Sequence, residues 1–294
     1  MLSYQHIFHA GNHADILKHY VLFQVLQSLN KKEKAYTFFD THSGSGLYDL
    51  LDSRSLKTGE AEKGILQLEE KCAQEGKVQC PPLFQQYLEF LSSYTAEKKY
   101  PGSPEIERSL MRPQDFLILS ELHPQEIENL RKNMKTEPKS QNHLFPSIKI
   151  HNRNGWEMLK ALTPPQTKRG AVLIDPSYEE TADYKDAAAC ICSVHKKWTN
   201  GIIMLWYPLL AHREADIEGM INEITVNAKK INENIEICDL KLCVYGKEEK
   251  NLPRLYGSGM LVLNAPWKLK EESLAAIEFV KNEIAVQLPG ENKA

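Results

Sequence analysis

Short apolar runs recur along this chain, and most are followed by a stretch with helical periodicity. The runs cover residues 35–40, 115–121, 147–151, 170–175, 201–206, 235–243 and 259–264. Each is rich in β-branched, aromatic or aliphatic side chains and too short for a buried helix, so each reads as a strand. Between them, residues 124–135, 154–162, 182–198, 212–231 and 271–286 carry apolar side chains at helical spacing, as do residues 14–29 ahead of the first run. Seven strands alternating with helices predict an α/β fold with a mostly parallel sheet. No long helix separates the last two runs, which predicts an antiparallel hairpin at one edge.

Residues 48–100 differ in texture. They are rich in Glu, Lys and Gln, with helical periodicity around Ile65–Leu68 and Phe84–Leu91 and a break at Cys80-Pro81-Pro82. This reads as a helical insertion, so that 1–47 and 101–294 form the main domain and 48–100 an inserted helical subdomain. The length of 294 residues suits one large α/β domain with an insertion. With 42% hydrophobic and 26% charged residues, the composition is that of a folded globular chain. No apolar run approaches the ~20 residues needed to span a bilayer. The N-terminus has no basic and apolar signal-peptide pattern, and the expected location is cytoplasmic. None of the six cysteines forms a Cys-x-x-Cys pair, which excludes a zinc ribbon. A net charge of -3 gives no global basic field. Local phosphate contacts remain open, with Lys98, Lys99, Arg108, Arg112, Lys196, Lys197 and Arg254 as candidates.

Chemistry concentrates at strand ends. Asp40-Thr41-His42-Ser43-Gly44-Ser45-Gly46 follows the first strand, where open α/β sheets bind ligands. It is not the dinucleotide-binding Gly-x-Gly-x-x-Gly, because position 49 is Asp, and it lacks the Gly-Lys of a phosphate loop. The spacing of Asp40, Gly44 and Gly46 matches motif I of S-adenosylmethionine-dependent methyltransferases; taken alone, it also fits a tight turn that binds nothing. Asp175-Pro176-Ser177-Tyr178 ends the 170–175 run and resembles motif IV, Asp-Pro-Pro-Tyr, of amino-group N-methyltransferases. An exocyclic amine is a poor nucleophile because its lone pair is delocalised into the ring. A carboxylate (Asp175) and a backbone carbonyl (Pro176) can accept its N–H groups and receive the developing positive charge. An aromatic ring (Tyr178) can stack on a flipped base. Ser177 stands where that pattern has its second proline.

Glu121, at the end of the 115–121 run, suits ribose hydroxyls. Asn154-Gly155-Trp156 offers a polar residue and a turn to an adenine ring. Four histidines fall within the first 19 residues; His9 and His13 share a face if that stretch is helical, but no third ligand has fitting spacing, so no metal is expected. The segment reads instead as a polar, aromatic wall closing over a ligand, with Asp15 near enough to the helix start to cap it.

With these residues placed, the chain resembles the RlmJ family, the 23S ribosomal RNA adenine-N6 methyltransferases. The resemblance rests on Met1-Leu2-Ser3-Tyr4, Phe8-His9-Ala10-Gly11-Asn12-His13-Ala14-Asp15, Leu17-Lys18-His19, Asp40-Thr41-His42, Tyr100-Pro101-Gly102-Ser103-Pro104, Glu121-Leu122-His123-Pro124, Leu205-Trp206-Tyr207-Pro208, Ser258-Gly259-Met260 and Pro266-Trp267-Lys268-Leu269. It covers nearly the whole chain. It implies a Rossmann-like class I methyltransferase fold, S-adenosylmethionine as donor, and a 23S rRNA domain V adenine as substrate. It implies cofactor contacts at His19, His42, Ser103, Glu121, Asn154, Gly155 and Asp175, with Asp175 as catalytic acceptor and Tyr4 on the RNA. Lys18 becomes a candidate RNA or active-site cation. Asn154 departs from the family, which carries an acid there, although its carbonyl can still accept. No membrane and no obligate protein partner are implied, and a monomer suffices. The alternatives are a DNA adenine-N6 methyltransferase and a catalytically weak RNA-binding protein of the same fold. A nicotinamide dehydrogenase is disfavoured by the missing third glycine.

Overall fold

The computed structural model describes residues 4–73, 80–135, 145–245 and 255–284. Arg254 and Met1 to Ser3 lie outside them. The main-sheet strands are β1 (Thr37–Asp40), β4 (Phe116–Ser120), β5 (Ser147–His151), β6 (Gly170–Ile174), β7 (Ile202–Leu210), β8 (Ile237–Cys243) and β9 (Leu255–Leu263), and a separate pair is formed by β2 (Leu47–Asp49) and β3 (Lys99–Pro101). The main sheet runs β5-β4-β1-β6-β7-β9-β8. The first five strands in that order are parallel, and β9 lies antiparallel between β7 and β8. The expected edge hairpin is therefore present. β7 runs four residues past its expected end because Pro208 stays in register opposite Ser258.

Period-two alternation divides the core. Phe38, Leu117, Leu173, Met204 and Met260 face one side; Phe39, Val172, Ile174, Leu205 and Leu261 face the other. Helices α8 (Gly155–Leu162), α9 (Ala182–Lys197) and α10 (Glu214–Ile231) cover the second side. The first side carries α1 (His13–Asn30), α6 (Ser103–Leu110) and α11 (Leu269–Ile284), with α7 (Pro124–Met134) beside β4. The sheet packs on one flank of α1. On its other flank, Tyr20 and Phe23 meet Phe84 and Tyr87 of α5 (Pro82–Thr95). The helix is consequently buried from Ala14 to Leu26, unlike the one-sided helix its spacing predicts. Asn12, not Asp15, caps it, accepting from the Ala14 and Asp15 amides.

The described residues between β2 and β3 form four helices, α2 (Ser53–Thr58), α3 (Glu60–Lys63), α4 (Ile65–Ala73) and α5, where the sequence suggests two. Two of these are too short for a periodic signal. Pro82 opens α5, where its missing N–H costs nothing. Tyr48 pairs with Tyr100 across the antiparallel β2–β3 ribbon.

The register of β1 on β6 is tight: a Cβ on Gly170 would stand 1.9 Å from the Thr37 carbonyl oxygen. Gly170→Ala is expected to cost about 3 kcal/mol, the upper end for overpacking. It should lower the urea midpoint at unchanged slope; an unchanged midpoint would mean the strands can separate freely there.

Candidate active site

The alternation also aims the strand-end acids. Asp40 continues the parity of Phe38, Asp175 that of Leu173, and Glu121 that of Leu119, so all three fall on the α1 and α6 side at the carboxyl ends of β1, β6 and β4. Around them open three adjoining clefts. One of ≈ 680 Å³ is lined by His19, His42, Gly44, Ser103, Glu121 and Asp175 among others. A second of ≈ 670 Å³ is lined by Tyr4, Lys18, Asp175, Tyr178, Trp206 and Pro208 among others. A third takes in Thr41, His42, Glu121, Asn154, Gly155 and Pro176. Asp175 borders the first two; His42 and Glu121 border the first and third.

The loop after β1 shows why its residues are what they are. Gly44 (φ 57°) gives its amide to Glu121 Oε2 at 2.7 Å, and a Cβ there would meet the Tyr48 hydroxyl at 2.4 Å. Gly46 (φ 76°) is buried against Leu130 and Met134, and its carbonyl takes the Gly102 amide at 2.9 Å. Gly46, expected to contact the cofactor, thus sits behind the cleft wall. Asp40 is also withdrawn: it is fully buried and accepts from Ser103 Oγ at 2.7 Å and the His42 amide at 3.1 Å. It holds two lining residues rather than facing the cleft. Burial pushes its carboxyl up to about 6 despite the Ser103 bond. Glu121 takes the Leu122, His123 and Gly44 amides; burial nonetheless raises its carboxyl.

His19 and His42 are neutral near pH 7. Burial lowers His42 to about 4 and His19 to about 3. His42 Nδ1 bonds Thr41 Oγ1 at 2.8 Å, and its ring meets Trp156 edge-on. His19 Nδ1 bonds the Tyr100 hydroxyl at 2.8 Å, while its buried Nε2 makes no hydrogen bond among the described residues and lies 3.9 Å from Asp15 Oδ1.

Asn154 differs from its expected role. Its Oδ1 accepts from the Trp156 and Glu157 amides and caps α8, so the carbonyl is already committed and the side-chain NH2 is the group left over. Gly155 is required by proximity rather than flexibility: a Cβ would stand 2.1 Å from the Thr41 carbonyl oxygen. Tyr178 (φ 51°) is only 7% exposed, packed on Tyr184 with its hydroxyl donating to the Trp206 carbonyl at 3.0 Å. The expected open stacking face is therefore largely covered, and only part of the ring lines the second cleft.

A chain of polar contacts joins the N-terminal segment to Asp175. The Tyr4 hydroxyl bonds His6 Nδ1 at 2.9 Å; His6 Nε2 bonds Asp15 Oδ2 at 2.8 Å. Lys18 Nζ bridges Asp15 Oδ1 at 2.8 Å and Asp175 Oδ2 at 2.6 Å. Burial alone would lower the Lys18 ammonium; Asp15 and Asp175 more than reverse this. Lys18 is buried, so it is not a surface cation. The sequence reading missed His6 as a member and cast Asp15 as a cap. The spacing of Asp15, Lys18 and His19, i, i+3 and i+4 on one helix, was the available signal. The other N-terminal histidines disperse: His9 pairs with Glu60 at 2.9 Å, and His13 lies edge-on to Tyr245. No cluster of three His, Cys, Asp or Glu side chains suited to a metal occurs among the described residues.

Two phosphate candidates are corrected. Arg108 is buried and paired with Glu105, and Arg112 is bound to Asp115 and to the Lys32 carbonyl. Neither is free to meet a phosphate. Arg254 lies outside the described residues.

A seven-stranded sheet of this order, with an acid-and-glycine loop after its central strand and an Asp-Pro turn after β6, defines a Rossmann-like methyltransferase. Residues 33–294 match the family described as Ribosomal RNA large subunit methyltransferase D, RlmJ, and the chain belongs to that family. Curated relatives include the Ribosomal RNA large subunit methyltransferase J of Escherichia coli (strain K12), 34% identical over 97% of this chain and 94% of that protein. The protein of the same name from Haemophilus influenzae is 32% identical over 99% and 96%. Among solved structures, a protein from Legionella pneumophila str. Philadelphia 1 matches with a TM-score of 0.79 at 29% identity, covering 94% of both chains.

Proposed function

We propose that this protein transfers the methyl group of S-adenosylmethionine to the exocyclic N6 of an adenine in domain V of 23S rRNA. The observation that carries the reading is the position of Asp175 at the junction of two clefts, with Lys18 bound to one of its oxygens. When bound, S-adenosylmethionine supplies an electrophilic methyl on a sulfonium centre. The first and third clefts fit it. Glu121 offers a carboxylate to ribose hydroxyls, and Gly44 keeps the backbone low. His19 Nε2 is a buried nitrogen without a hydrogen bond among the described residues, and Ser103 and His42 are neutral polar groups held in place by Asp40. Asn154 presents its NH2 to the adenine end.

The second cleft then takes the target base. Lys18 fixes the Asp175 rotamer through Oδ2, leaving Oδ1 to accept an N–H of the exocyclic amine. The Pro176 carbonyl is the second acceptor. Withdrawing N–H density localises the nitrogen lone pair, and the carboxylate offsets the positive charge that develops on nitrogen. Tyr178 and Trp206 supply apolar wall for the ring, and Tyr4, 41% exposed and stacked on His9, supplies a face toward RNA. The helices of 48–100 are read as an inserted subdomain.

Ser177 is exposed on the turn, so Ser177→Pro should stiffen the loop without removing an acceptor. Methyl transfer is expected to stay within about 3-fold of wild type; a larger fall would mean that the Ser177 amide or hydroxyl is used in the reaction. The function itself is tested by tritiated methyl transfer to unmodified 23S rRNA and, in parallel, to duplex DNA, followed by nucleoside mass analysis. N6-methyladenosine in the rRNA alone is the expected result. Methylation of the DNA, or no transfer despite cofactor binding, would overturn the reading.

A further inference from the structure

Beneath the first cleft lies a buried acid that the proposed reaction does not use. Glu107 stands one helical turn after Ser103 on α6, so both project from the same face. It is 0% exposed, and among the described residues neither carboxyl oxygen has a donor to accept from. What it meets is the carboxyl of Asp40, also 0% exposed. Two carboxylates are both acceptors, and two buried negative charges in contact repel strongly; one proton between them satisfies both. The neighbours supply no alternative. Arg108, the next residue, is turned to Glu105. Lys18 and Asp175 act on Asp40 only at a distance, with opposite signs, and Lys18 is already bound to Asp15 and Asp175. The other contacts of Asp40 are the Ser103 hydroxyl and the His42 amide, both donors.

We infer that Glu107 is a positioning residue of the cofactor cleft: a proton shared between its carboxyl and that of Asp40 holds Asp40 where it can fix Ser103 Oγ and the His42 amide. The inference rests on the reading of the first cleft as the cofactor site. Burial, then the charge of Asp40, push the Glu107 carboxyl well above its ordinary range, consistent with the protonated partner. Raising the pH pulls against that proton. Its loss places a second charge beside Asp40, displaces Asp40 from Ser103 and loosens the cleft floor. Cofactor affinity therefore weakens as pH rises, the sign expected of a carboxyl pair that binds a proton in the folded, ligand-competent state.

The test is calorimetric titration of S-adenosylhomocysteine into the full chain at pH 6 and pH 8.5, with Glu107→Gln and Ser103→Ala alongside wild type. Wild type should bind about 10-fold more weakly at the higher pH. Glu107→Gln has nearly the same shape and an amide N–H that donates to Asp40 without titrating, so its affinity should change by less than about 2-fold across that range. Ser103→Ala keeps the carboxyl pair but cuts one of its two routes to the cleft, leaving the His42 amide, and should bind more weakly with a shallower profile than wild type. Superimposed profiles for wild type and Glu107→Gln would overturn the inference while leaving the cofactor site standing. Failure of wild type to bind at either pH would overturn both. A purely structural Glu107 would lower stability in the variant without changing the slope of affinity against pH.

Discussion

Asp175→Ala is expected to lower methyl transfer to 23S rRNA by at least about 100-fold, in line with the loss of a general base or a preorganised charge partner. The substitution removes the carboxylate at the junction of the two clefts and leaves Lys18, which sits 2.6 Å from it, paired with Asp15 alone. The amine then lacks a carboxylate where its own positive charge develops, so the effect should appear in the single-turnover rate at saturating cofactor. Asp175→Asn separates the two contributions. It retains a carbonyl acceptor but no charge, and should recover part of the loss if hydrogen bonding to the amine matters by itself. A near-wild-type rate for Asp175→Ala would remove this residue from the mechanism.

Lys18→Met is expected to destabilise the fold by about 3–5 kcal/mol at pH 7, the range for removing one partner of a buried ion pair. The Lys18 and Asp15 side chains are 5% and 1% exposed, so the charge left behind has little access to water. The pH dependence identifies the cause. Burial alone would raise the Asp15 carboxyl, but His6 and Lys18 hold it well below its ordinary range. A carboxylate so depressed contributes stability above its unfolded pKa, and that stability is lost as pH falls through the folded value. Without Lys18 the depression shrinks, so less stability is present at neutral pH and less remains to lose in acid. The gap between wild type and Lys18→Met in urea unfolding should be wide at pH 7 and narrower in acid. An equal gap at both would assign the loss to packing of the lysine stem instead.

Several of the site's parts were legible because they are local. Asp40, Glu121 and Asp175 each end an apolar run, and strand periodicity decides which face such a residue continues. The phosphate candidates Arg108 and Arg112 failed for a complementary reason. An arginine three residues from an acid is satisfied within its own turn or loop, and only the fold shows that Arg112 also takes the Lys32 carbonyl. Asn154 was legible as a polar residue at a helix start, but a cap and a ligand compete for the same carbonyl oxygen, and here the two backbone amides hold it. The short helices α2 and α3 and the β2–β3 ribbon carry too few residues for periodicity to register.

From the sequence come the alternation of strands and helices, the acids at the strand ends, the turn with glycines at 44 and 46, and the helix that carries Asp15, Lys18 and His19. Each depends on neighbours a few residues away, through backbone dihedrals and side-chain periodicity. The tertiary structure alone decided that Lys18 meets Asp175 across 157 residues, that Asp40 faces Ser103 and Glu107 instead of the cleft, and that α1 is buried on all sides. Those outcomes follow from strand order and helix stacking, which join distant segments whose pairing no local pattern encodes.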